Sequence, residues 1–80
     1  MMMKLGVYRH YKGPYYIVHA LARDTITLQP VVVYQQLYDG YGFWTRPMDE
    51  FESYVSQNNN NVKRFTFIGD VGTIPPTIRE

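Results

Sequence analysis

With 80 residues and no cysteine, the chain has room for one domain, whose core must form without disulfides or a thiolate metal site. A formal net charge of +1 gives no electrostatic case for nucleic acid, and no stretch approaches the roughly 20 apolar residues of a membrane span. Apolar burial has to come largely from eight tyrosines, four phenylalanines and one tryptophan, each large ring removing roughly 150–250 Å² from water.

In chain order, Val7 to Tyr11 predicts a first short strand, and Lys12-Gly13-Pro14 a turn. Tyr15 to Ala22 predicts a second strand, apolar on both alternating faces and therefore covered on both. Arg23 to Pro30 is a connection with Asp24 and Thr25 as turn residues, and Pro30, which has no N–H for a ladder, belongs at a strand start. Val31 to Tyr38 predicts the longest strand, with Val31, Val33, Gln35 and Leu37 as its core face and Val32, Tyr34, Gln36 and Tyr38 on the other. Asp39-Gly40 is a hairpin signal of the kind that needs positive φ, and Gly42 to Arg46 returns as a fourth strand.

Pro47 suits the first turn of a helix, and Met48, Phe51 and Val55 follow at spacings of three and four, which predicts a helix of two turns or so. Asp49, Glu50 and Glu52 near its start complement the helix dipole. Gln57 to Asn61 reads as a mobile polar loop, and Arg64 to Ile68 as a last strand with Phe65 and Phe67 turned inward. The domain is expected to span residues 5–69, followed by an extended or disordered tail over 70–80 that contains Pro75-Pro76. About five strands and one short helix in this length predict a mainly β fold, a small SH3-like half-open antiparallel barrel, because closure removes exposed edges.

Four runs in this order carry a resemblance: Tyr8-Arg9-His10-Tyr11-Lys12-Gly13; Val32-Val33-Tyr34 with Leu37-Tyr38; Trp44-Thr45-Arg46-Pro47-Met48 with Phe51; and Arg64-Phe65. Over about residues 6 to 68 the chain resembles a bacterial and phage family known as domain of unknown function sixteen-fifty-three. The resemblance implies a small β-rich domain and carries no reaction, cofactor or partner. Where that family has a His-Ser-Glu-Thr run after the second strand, this chain has Arg23-Asp24-Thr25-Ile26-Thr27.

The chemistry-bearing residues favour binding over catalysis. Ser53 and Ser56, the serines of the chain, fall on or beside the expected helix. His10 and His19 lie on different strands, and two imidazoles without a carboxylate make a poor metal site, so neither metal nor cofactor is expected. Gly69-Asp70-Val71-Gly72 lacks the lysine and the following helix of a phosphate loop. His10, between two tyrosines, reads either as a functional group or as a half-buried histidine bonded to backbone; His19 reads as structural. Trp44 and Arg46 share a strand face, and an indole beside a guanidinium offers stacking and bidentate anion binding. Tyr34, Gln36 and Tyr38 form a matching stripe across the hairpin.

The expected site is therefore Trp44, Arg46, Tyr34 and Gln36, with Arg9 and His10 nearby, on a non-catalytic binding or adaptor module whose partner is a protein or peptide. A nucleotide or short single-stranded nucleic acid is the alternative ligand, since stacking plus Arg suits it, and a small enzyme using His10 as general base is the third reading. Docking of the Pro75-Pro76 tail into the domain's own groove or a neighbour's predicts a possible homodimer. Met1-Met2-Met3-Lys4 opens on no apolar run of signal-peptide length, so the expectation is a cytoplasmic protein, or one delivered there by a virus or plasmid, with no membrane partner.

Overall fold

The computed structural model describes residues 3–75. Among them are seven strands and two short helical turns: β1 (Gly6–His10), β2 (Tyr15–Arg23), β3 (Pro30–Gln36), a 3-10 turn (Asp39–Tyr41), β4 (Phe43–Pro47), α1 (Met48–Phe51), β5 (Tyr54–Gln57), β6 (Asn60–Lys63) and β7 (Phe65–Gly69). Five form an antiparallel sheet in the order β4-β3-β2-β1-β7, and β5 and β6 make a separate antiparallel pair. The fold is mainly β, as expected, and half-open: β4 and β7 end the sheet without pairing to each other. Pro30 does open β3.

Two irregularities bend the sheet. The β2–β3 register shifts between Val18 and Ala20, leaving His19 without a partner, and β1–β7 shifts between Val7 and Tyr8. Such bulges sharpen the local twist and curve a sheet over its own inner face. That face holds the core of Tyr8, Val18, Val32, Tyr34, Phe51 and Phe65. The Phe51 and Phe65 rings stack in parallel at 3.9 Å between centroids, and Tyr8 and Tyr34 each meet Phe51 edge-on at 5.3 Å.

The structure corrects four expectations. β2 is not covered on both faces, since His19, Ala20 and Ala22 are exposed. The core face of β3 is Val32 and Tyr34, not Val31, Val33, Gln35 and Leu37, because the rings of Phe51 and Phe65 pack on the even-numbered side. The helix stops after one turn instead of two. Ser53 Oγ donates to the Glu50 carbonyl at 2.6 Å, and Ser53 O accepts from Arg64 N–H at 2.9 Å, which turns the chain into β5. Val55 therefore pairs with Val62 across a hairpin. The asparagine run is not a loose loop: Asn58 and Asn59 take φ of 52° and 66°, the left-handed pair that a two-residue hairpin turn demands, and the next asparagines lie in β6.

Beyond β7, Thr73 N–H closes a turn on the Asp70 carbonyl at 2.8 Å, and Pro75 is fully buried. Pro76, the second half of the expected docking motif, lies outside the described residues, as does the rest of the tail to Glu80.

Candidate binding cleft on the β3–β4 hairpin

Strand alternation assembles the site. Register pairs Tyr34 with Trp44 and Val32 with Arg46, so Tyr34, Gln36, Trp44 and Arg46 share one face, as the sequence predicts, but that face is the inner one and not the one turned away from the core. The connection is a tight helical turn over Asp39–Tyr41, with φ positive at Gly40 (81°) and Tyr41 (47°), and Gln36 N–H closes it on the Gly42 carbonyl at 3.0 Å.

Two glutamines brace this turn from opposite faces. On the inner face, Gln36 Nε2 donates to the Asp39 carbonyl and Gln36 Oε1 accepts from Trp44 Nε1 at 2.6 Å. On the outer face, Gln35 Nε2 donates to the Tyr41 carbonyl at 3.0 Å, and its Oε1 lies 2.8 Å from His19 Nε2. Gln35 thus holds loop backbone in place. His19 also stacks on Phe43, 5.3 Å between centroids.

Tyr16, Tyr34, Tyr38, Trp44 and Arg46 line a cleft of about 200 Å³. Its walls are fixed before any ligand arrives. The Tyr16 and Tyr38 hydroxyls lie 2.7 Å apart, Arg46 Nε donates to the Tyr34 hydroxyl at 3.2 Å, and Arg46 Nη1 pairs with Glu50 Oε1 at 2.5 Å. Trp44 is 55% exposed whereas Tyr34 is only 5% exposed. Tyr34 therefore departs from the expected solvent-facing stripe: its ring belongs to the core, and it helps to line the cleft from below. Burial and the bond to Tyr38 push the Tyr16 hydroxyl's pKa well up, so it keeps its proton.

The two remaining expected residues part company. His10 packs beside the cleft, edge-on to Phe65 at 4.9 Å and to Tyr16 at 6.3 Å, with Nδ1 accepting from Lys12 N–H at 3.1 Å. Burial first, then the Arg46, Arg64 and Lys12 cations, hold its pKa below the usual imidazole value. Arg9 is exposed, and the pleat sends it to the opposite face from Tyr8 and His10, away from the cleft. Tyr16 and Tyr38 complete the lining. Tyr38 continues the Tyr34/Gln36 stripe, but Tyr16 arrives only through its register opposite Gln36, which no run of residues announces.

A larger hollow of about 400 Å³ lies where Tyr8 and Phe67 meet the β5–β6 hairpin, rimmed by Lys4, Glu52 and Lys63. Its polar groups sit on long flexible stems, whereas those of the cleft are held by one another. Among the described residues no group of three or more His, Asp or Glu side chains is placed to hold a metal ion, and no helix is long and apolar enough to cross a membrane.

These features define a small, mainly β domain with an open antiparallel sheet and an aromatic cleft on its hairpin face. The chain belongs to the family described as protein of unknown function DUF1653, whose model matches residues 6–67. It is similar to the crystal structure of a member of that family from Bordetella bronchiseptica, with a TM-score of 0.79 and 38% identity over 86% of this chain and 91% of that one. No curated protein matches the chain.

Proposed function

We propose that the protein is a non-catalytic binding module, acting in the cytoplasm, that holds an extended segment of a partner protein in the cleft beside Trp44. One observation carries the reading: the single tryptophan is more than half exposed, yet its indole is fixed in orientation by Gln36. An exposed large ring that has already lost its rotational freedom pays little entropy on binding, and Trp, Tyr and Arg dominate binding hot spots. Tyr38, which lines the same cleft, adds exposed aromatic surface to it.

Arg46 contributes direction more than charge. With Glu50 against Nη1 and Tyr34 against Nε, its guanidinium is held in place and partly neutralised. That balance favours a peptide, with its carbonyls and apolar side chains, over a phosphate backbone, which is held by several free cations.

The test is selection of peptides from a random library, followed by affinity measurement for wild type and Trp44→Ala across a salt series. Loss of about 2 kcal/mol or more of binding energy on Trp44→Ala is expected, as for a hot-spot ring, with weak dependence on salt. Peptide affinities untouched by Trp44→Ala would overturn the reading. A steep salt slope with single-stranded oligonucleotides, and no peptide selected, would replace it with the nucleic-acid alternative.

A further inference from the structure

Among the described residues β4 pairs with β3 alone, which leaves its other side as an open edge. Two hydrogen bonds determine which backbone groups line that edge. Leu37 N–H donates to the Tyr15 carbonyl at 2.9 Å, and Gln36 N–H to the Gly42 carbonyl at 3.0 Å. At this end of β3, then, odd-numbered residues turn their amides to β2 and even-numbered ones to β4. By the same alternation Gly42, Trp44 and Arg46 bond to β3. Phe43 and Thr45 direct N–H and C=O outward, and Pro47 adds its carbonyl.

Proteins commonly guard such an edge with charged side chains, proline, a bulge or a covering segment. On β4 the charge of Arg46 is paired with Glu50, Pro47 stands only at the strand's end, the register with β3 is unbroken, and Phe43 and Trp44 are 63% and 55% exposed. We propose that this edge is covered by a second copy of the chain, β4 against β4, antiparallel about a two-fold axis at Thr45. This goes beyond the peptide reading and does not depend on it.

The argument for a second copy is self-complementarity. With the axis at Thr45, the two Thr45 residues face each other and exchange both backbone bonds. Each Phe43 N–H meets the Pro47 carbonyl of the other copy, so the missing proline N–H falls at the margin of the ladder. Threonine pairs are favourable across a strand interface. On the inner face, each Trp44 lies opposite the other copy's Arg46 as a closely spaced non-hydrogen-bonded pair, which sets an indole against a guanidinium stem. On the outer face, Phe43 lies opposite Pro47. Every exposed side chain of β4 thus finds a chemically suited partner in its own sequence, and the two aromatic clefts meet at the axis. A single strand pair of five residues belongs to the small, reversible end of protein interfaces.

Sedimentation from micromolar to millimolar protein tests this, comparing wild type with Thr45→Lys, which sets two ammonium groups face to face across the axis. Wild type is expected to shift reversibly from monomer to dimer, and Thr45→Lys to weaken dimerisation by about tenfold or more. Wild type monomeric throughout, or dimerisation equal in the variant, would overturn the proposal. Should Thr45→Lys fail to fold, amide hydrogen exchange of wild type decides. Phe43 and Thr45 N–H should gain protection as concentration rises while Trp44 N–H, bonded within the monomer, should not. Concentration-independent exchange at Phe43 and Thr45 would refute the dimer. Neither measurement uses a peptide, so failure here leaves the cleft reading separately testable.

Discussion

Gln36 shows how much of the site rests on single side chains. Its amide spends both ends inside the hairpin, one on the Asp39 carbonyl and one on the indole of Trp44, so turn and cleft are ordered together. His10 does a comparable task next door, where its Nδ1 anchors the Lys12 amide and its ring packs on Phe65. Burial and nearby cations hold its pKa below the ordinary 6.5, so the folded protein takes up a proton less readily than the unfolded chain. The stability linked to neutral His10 is therefore present above the ordinary value and lost as pH falls through it towards the folded-state value. Melting of wild type and His10→Asn at neutral pH and at about pH 5 checks this: the wild type should lose more melting temperature on acidification than the variant. Equal losses would show that His10 does not titrate against the fold. At this scale the sequence was legible where simple alternation ruled. Trp44 with Arg46 and Tyr34 with Gln36 could be read from parity, whereas Arg9 was misplaced because closeness in sequence to His10 sends it, on a strand, to the opposite face.

Elements were read well where turn chemistry bounded them and poorly where two periods fitted the same residues. Pro30 and Asp39-Gly40 marked ends that the structure keeps. Between Met48 and Gln57 the apolar spacing of three and four fits a helix. It fits equally a single turn followed by a strand, and the Ser53 bonds decide for the strand. The faces of β3 posed a similar ambiguity, since valines and larger apolar residues stand on both. Only the arrival of Phe51 and Phe65 on one side breaks the tie. Four asparagines in a row look like disorder by composition, yet asparagine tolerates left-handed backbone, and two of them supply it at Asn58 and Asn59. Replacing Asn59 with valine should cost about 1–2 kcal/mol, the penalty for a side chain with a branched Cβ in that region, whereas Asn59→Gly should be neutral or slightly stabilising. Chemical denaturation of the two variants measures the difference. Equal stability would mean that the turn relaxes to another conformation.

For the whole molecule, a small sheet without disulfides is held by an aromatic cluster that also forms the wall of its own cleft. Tyr34 is packed against Phe51 and Phe65 on one side and bonded to Arg46 on the other, so core and site share a side chain. The composition made this economy foreseeable in outline, because the rings had to supply both the core and any sticky surface. Which ring served which purpose depended on sheet curvature set by the bulges at Val18/Ala20 and Val7/Tyr8, and nothing local in the sequence encodes it. The lone tryptophan offers the most direct test of the central claim, since it gives one indole N–H resonance. Titrating isotope-labelled protein with a library-selected peptide should shift that resonance and the Gln36 side-chain amide together, saturating at one affinity. Shifts confined to Tyr8, Phe67 and the β5–β6 hairpin, with the indole unmoved, would place binding in the other hollow and contradict the account.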